Sequence, residues 1–176
     1  MIRGFINSKL SKDKKLFQKL HNILGFYPTR ISLYKVAITH NSYRNMPHND
    51  PKKINNERLE FLGDALLSFV VGEYLFKKYP NANEGFLTKM RSKIVKRKML
   101  NYIAEQMGLD QLMMEFNQTA ISQSMLGNAL EALIGAIYME QGFDFTKEYI
   151  LKNIIRKYVD INRLEFFDDN YKSQLL

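Results

Sequence analysis

The sequence predicts an all-α fold, a helical bundle within one domain, and three observations carry that expectation. Apolar residues recur at helical spacing in one segment after another, Gly25, Pro28, Pro80, Gly108 and Gly142 punctuate the segments, and no stretch alternates apolar with polar residues as a strand would. The helices are expected over 12–24, ended by Gly25 and Pro28; 31–39; 55–78, ended before Pro80; 84–96; 98–107, capped by Gly108; 124–141, capped by Gly142; and 146–159. Residues 44–55, with Pro47, Asn49, Asp50 and Pro51, read as a polar loop leading into the third of these helices. At 176 residues and 45% hydrophobic composition the chain can fill one core, and it holds no internal repeat or low-complexity tract.

The helix over 55–78 carries the densest chemistry. Glu57, Glu60 and Asp64 stand at i, i+3 and i+7, so at about 100° per residue they share an arc of roughly 60°. Leu59, Leu62, Leu66, Phe69 and Val70 gather on the other side, which predicts a greasy face opposite an acidic one. Two unit charges about 4 Å apart interact by about 1 kcal/mol in water and by several times more when partly desolvated. Such a cluster calls for a cation, although one acidic pair on a solvent-facing helix would not.

A second segment, Gly127 to Tyr138, supplies matching chemistry. Asn128 and Glu131 share one face, and Ala132 and Gly135 lie beside them with almost no side chain, so another helix can approach closely. Packed against the first helix, it would bring Glu60, Asp64, Asn128 and Glu131 to one point. That all-oxygen donor set suits Mg²⁺ or Mn²⁺ over metals that prefer nitrogen and sulfur. Taken alone, the segment also reads as plain helix packing with Glu131 at an exposed edge.

At these residues the chain resembles the ribonuclease III family, endonucleases that cut double-stranded RNA. Asn56 to Asp64 reads NERLEFLGD, the family signature, and Leu130 to Tyr138 contains EALIGAIY, its second acidic box. Ala37 to Tyr43, AITHNSY, is similar to the family's ALTHRSY stretch, and Asn83-Glu84-Gly85 with Lys89 to Ser92 resembles its EG…MRS segment. The four motifs stand in family order over roughly residues 30–160. The resemblance implies a homodimeric domain with one acidic site per subunit, hydrolysing phosphodiester bonds at a stagger. It also implies divalent metal: Mg²⁺, with Mn²⁺ able to substitute, held by Glu60, Asp64, Asn128 and Glu131, with Asp64 and Glu131 closest to the chemistry. Glu57 and Glu84 match acidic positions associated with substrate contact or support of the site. The second box usually opens with aspartate where this chain has Asn128, a neutral oxygen donor that should hold cations less tightly. A silent member that binds structured RNA within a ribonucleoprotein is therefore the alternative reading.

Charge agrees with a polyanionic partner: Lys+Arg 26 against Asp+Glu 18 gives +8. Lys89, Lys93, Lys96 and Arg97 recur at helical spacing, flanked by Arg91 and Lys98, which predicts a positive stripe for RNA phosphates unless it is simply a solvated face. Thr39, His40, Asn41 and Ser42 offer short donors suited to the 2′-hydroxyls of duplex RNA, and the family counterpart of this run helps to bind RNA; Ser42 as a turn cap and His40 as a packed ring are the plainer roles. The histidines lack metal-ligand spacing, so no zinc site is expected. Phe61 lies about 40° from Glu57 on the wheel, away from the expected core face. Its burial against a second subunit would solve an exposure costing roughly 1.5–3 kcal/mol, and the family's corresponding phenylalanine docks across a homodimer; a pocket in the same chain is the alternative.

Residues 1–25 are expected to form a basic N-terminal extension and first helix, 26–165 the endonuclease domain, and 166–176 the start of a linker. Asn170 to Leu176 resembles the family's linker to a double-stranded-RNA-binding domain, so the chain is either a catalytic-domain fragment or a protein without that second domain. The cysteine-free composition is compatible with a reducing cytoplasm. Neither a membrane span nor a secretory signal is read, and no small-molecule cofactor is expected.

Overall fold

The computed structural model describes residues 12–39, 56–117 and 120–165, and every regular element in them is helical. In chain order these are α1 (Lys14–Leu24), α2 (Ile31–Ala37), α3 (Glu57–Lys78), α4 (Glu84–Val95), α5 (Arg97–Gln106), α6 (Leu109–Asn117), α7 (Gln123–Gln141) and α8 (Phe143–Tyr149). The last continues through a π-helical stretch, Ile150–Ile155, into a final α-turn, Arg156–Tyr158, and residues 161–165 are helical again.

α7 is the axis of the bundle. From Leu126 to Ile137 it is buried nearly all round, because Leu, Ile, Ala and Gly occupy every face except those of Asn128 and Glu131. α3 crosses it at backbone contact. A Cβ placed on Gly63 would overlap the carbonyl oxygen of Glu131, and one on Gly135 would overlap that of Leu59, so only two glycines permit the crossing. Gly135 is the small residue expected to admit a partner helix; Gly63 is its counterpart on α3. α5 packs on the other side, where the Asn101 side-chain oxygen accepts the Gly127 N–H at 2.9 Å. α1 adds Leu20 and Leu24 to the same core, and each such side chain stabilises the fold by about 1.5–3 kcal/mol.

Three expectations are corrected. The buried stripe of α3 is Gly63, Leu67, Val70, Val71 and Leu75, not the face carrying Leu59, Leu62, Leu66 and Phe69. Leu59, Leu62 and Leu66 are half-buried, and Phe69 is 59% exposed. The buried stripe therefore adjoins Glu60 on the wheel, and the acids extend the core-facing side of α3 instead of opposing it. The helix expected over 146–159 begins at Phe143, because Gly142 at φ 78° turns the chain directly from α7 into α8, and it is interrupted by the π-stretch that keeps Ile150, Ile154 and Ile155 inside. Finally, α6 falls in a span assigned to no helix, although Leu109, Leu112, Met113 and Asn117 make a regular buried stripe.

Candidate functional site

The glycine crossing places the first two turns of α3 against the middle of α7, at Glu131 and Gly135. Beside it opens a cavity of about 430 Å³ lined by Glu57, Glu60 and Asp64 from α3, Asn128 and Glu131 from α7, and Arg97 from α5. The four oxygen-bearing side chains that the sequence singled out, Glu60, Asp64, Asn128 and Glu131, thus share one wall. Arg97 arrives by way of Asn101, one turn further along α5, which is fixed to the start of α7 by its bond to Gly127.

Four carboxylates face one guanidinium here, and the electrostatics show the imbalance. Burial, then the charges of Asp64 and Glu60, push the Glu131 carboxyl up to about 7, with Arg97 only partly offsetting them. Glu60 is also raised, chiefly by burial; Glu57 and Asp64 add to this, while Arg97 and the amide of Asn128 draw it back. Asn128 therefore already acts on Glu60, and an aspartate in its place would repel where the amide attracts. Among the described residues no three acidic or histidine side chains stand in a geometry that already cages an ion. The chemistry nevertheless fits a hard divalent cation: the donors are oxygens, they share one cavity, and they repel one another.

The remaining expected residues are scattered. Thr39 uses its hydroxyl on the Lys35 carbonyl at 2.7 Å, closing the end of α2, and its own carbonyl accepts the Asn56 N–H. His40, Asn41 and Ser42 lie outside the described residues. Glu84 opens α4, accepts a hydrogen bond from Thr88 at 2.7 Å, and does not line the acidic cavity. The expected positive stripe is broken in two, because Lys96 adopts an extended backbone (φ −65°, ψ 145°) that makes an elbow between α4 and α5. Lys89 and Arg91 are exposed on α4, Arg91 lying across Gly72 of α3. Lys93 is half-buried and donates to the Leu164 carbonyl at 3.0 Å. Past the elbow Arg97 turns to the acids. Phe61 is 80% exposed at the cavity rim, so no pocket among the described residues covers it.

Two site features were not legible in advance. Arg97 read as one more cation of a stripe, and only the elbow directs it to the carboxylates. Gly63 stood inside the signature with no chemistry of its own, yet the crossing depends on it.

The family model described as ribonuclease-III-like matches residues 30–158. The chain belongs to the ribonuclease-III-like family. Among curated relatives, Ribonuclease 3 of Bacteroides thetaiotaomicron is 42% identical over 166 residues, covering 94% of this chain and 53% of the relative. Ribonuclease 3 of Azobacteroides pseudotrichonymphae is 43% identical over 178 residues, covering 99% and 68%. The chain thus spans about half to two thirds of the length of these ribonuclease III proteins. Among solved structures, the nuclease domain of ribonuclease III from Campylobacter jejuni superposes with a TM-score of 0.70 at 39% identity, over 83% of this chain and 98% of that one. Dicer from Pichia stipitis gives 0.55 at 29% identity, over 80% and 58%.

Proposed function

We propose that the chain is the endonuclease module of an enzyme that hydrolyses phosphodiester bonds of double-stranded RNA with divalent metal, Mg²⁺ or Mn²⁺, in RNA processing. The single observation that carries this reading is the shared cavity of Glu60, Asp64, Asn128 and Glu131 at the α3–α7 crossing. When bound, a divalent cation supplies Lewis-acid stabilisation of the charge that develops on the phosphate during hydrolysis. The chain's own residues do the rest. Glu60, Asp64 and Glu131 offer the anionic oxygens that hold the metal, with Asn128 as a neutral donor that also orients Glu60. Glu131, its carboxyl near neutrality, must release its proton to take part, so metal binding and proton release are coupled. Arg97 stands where it can meet a phosphate entering the cavity, and Glu57 flanks the entrance. Lys89 and Arg91 supply exposed charge for the duplex backbone; Lys93, tied to Leu164, contributes less directly.

The module is proposed to act as a homodimer. Its support is Phe61, an aromatic ring 80% exposed beside the acids, together with the related Campylobacter jejuni domain, described for structural flexibility in a region involved in dimer formation. Phe69 and Phe76, 59% and 69% exposed, extend apolar surface along α3. No helix of the described residues is long and apolar enough to cross a membrane. The silent, RNA-binding reading rests on Asn128 alone, and three carboxylates retained around one cavity favour the enzyme. Incubating a long perfect RNA duplex with the protein, with and without Mg²⁺, tests the proposal. Metal-dependent shortening of the duplex is expected; binding without cutting at any metal concentration would leave the silent reading.

A further inference from the structure

The elbow that sends Arg97 into the acidic cavity sends its neighbours the other way. Lys96, Lys98, Met99, Tyr102, Tyr158 and Leu164 line a second cleft, of about 440 Å³, on the far side of α5. Its two ammonium groups are exposed and, among the described residues, take part in no ion pair. The carboxylate that reaches the cleft, Asp160, is engaged in its own turn, accepting the Arg163 N–H at 3.0 Å. Between the cations lies apolar and aromatic surface. Tyr102 is 49% exposed, whereas most large apolar side chains of the bundle are inside. Cations around an open aromatic face match a phosphate joined to a flat ring, which is the chemistry of an unstacked nucleotide. A paired base offers no free face, so a duplex alone would leave the tyrosine idle.

We propose that this cleft binds an unpaired nucleotide of a single-stranded flank adjoining the duplex, its phosphate on Lys96 and Lys98 and its base against Tyr102. Consecutive residues supply both clefts, Arg97 and Leu100 the acidic one and Lys96, Lys98 and Met99 the other, so a strand leaving the acids over the start of α5 enters the second cleft directly. The inference rests on the double-stranded-RNA reading and adds to it a preference for duplexes with an unpaired neighbour. The lysines would contribute the salt-dependent part of the affinity and the ring the part indifferent to salt and sequence.

Fluorescence anisotropy in a chelating buffer, where nothing is cut, tests it with a blunt RNA duplex and the same duplex carrying a short single-stranded tail. The natural protein should hold the tailed duplex about tenfold more tightly. Tyr102→Ala should erase that gain while binding the blunt duplex unchanged, and Tyr102→Phe, which keeps the ring, should retain it. Replacing Lys96 and Lys98 together by Ala should also remove the gain and reduce the salt slope for the tailed duplex by about two. Equal affinity for both probes in the natural protein, or a gain that survives Tyr102→Ala, overturns the proposal while leaving the double-stranded-RNA reading intact. Failure to bind the blunt duplex at all overturns that reading, and this inference with it.

Discussion

Glu131 and Glu140 lie on the same helix, nine residues apart, and have opposite environments. Glu140, near the end of α7, accepts four hydrogen bonds from in and around α2, from the Thr29 N–H at 2.8 Å, the Thr29 hydroxyl at 2.9 Å, the Arg30 N–H at 2.6 Å and the Tyr34 hydroxyl at 2.8 Å, and a fifth from the neighbouring Gln141 side chain at 3.1 Å. Burial alone would raise its carboxyl, but these donors hold it below the ordinary range. It caps α2 from another helix and locks the Tyr34 phenol in the core. Glu131 gathers other acids in place of donors, and its carboxyl climbs to about 7. A buried carboxylate supplied with donors is part of the scaffold. One surrounded by carboxylates, with Arg97 only partly offsetting them, marks a candidate functional site.

The largest expected break comes from the crossing that serves the acidic end. Gly135→Ala inserts a Cβ into the Leu59 backbone, so chemical denaturation should show a loss of about 3 kcal/mol or more, with cleavage falling alongside. The Glu140 end should be less costly to break. Glu140→Ala strands several donors, and a loss of about 2 kcal/mol is expected by the same measurement.

The pH profile sharpens the contrast, because the two shifts have opposite signs. In metal-free protein the Glu131 carboxyl is raised from 4.5 to about 7, so the folded state keeps a proton that the unfolded chain releases. Its contribution to stability is therefore present at acid pH and lost as pH rises through that window. The lowered Glu140 works the other way: its contribution is present above the ordinary carboxylate range and lost as pH falls through the folded value. Thermal melts in chelator should show Glu131→Gln flattening the neutral limb and Glu140→Ala the acid limb. Exchange of those two effects would refute the distinction.

At the rim of the acidic end, Phe61→Ala should weaken a dimer by about 2 kcal/mol, read as a shift toward monomer in sedimentation; an unchanged dimer would remove Phe61 from the interface. The gentlest probe is Asn128→Asp. It removes a favourable partner of Glu60 and adds an anion, so the Mg²⁺ concentration for half-maximal cleavage should fall several-fold, without a matching gain in rate. Identical metal dependence would place residue 128 outside the metal site.

Most of the fold was legible because helix ends are local: Gly25, Gly108 and Gly142, each at positive φ, mark boundaries with single residues. α6 was not read from the sequence because it follows at once on Gly108 and no glycine or proline marks its far end, although its apolar spacing is regular. The acidic face was legible too, since three carboxylates on one arc have few uses. Which way α3 turns was not. Hydrophobicity does not separate a core side chain from one awaiting a partner, so Phe69 read as core although it is exposed, and the buried stripe fell next to Glu60. Long-range pairs were invisible for a further reason. Nothing near Glu140 in sequence names Thr29 or Tyr34, and nothing near Arg97 shows that the Lys96 backbone will turn it toward Glu60 and Glu131.

The central claim is that the acids at the α3–α7 crossing exist to hold divalent metal for cutting RNA. Glu131→Gln tests it most directly, because the substitution removes a ligand charge and a source of repulsion while leaving the packing and the basic surface in place. With initial cleavage rates of a long perfect duplex measured across a Mg²⁺ titration, the natural protein should show metal-dependent cutting. The variant should show none at any concentration while binding the duplex nearly as well. Retention of most of the activity by Glu131→Gln, or cleavage indifferent to Mg²⁺ in the natural protein, would contradict the account.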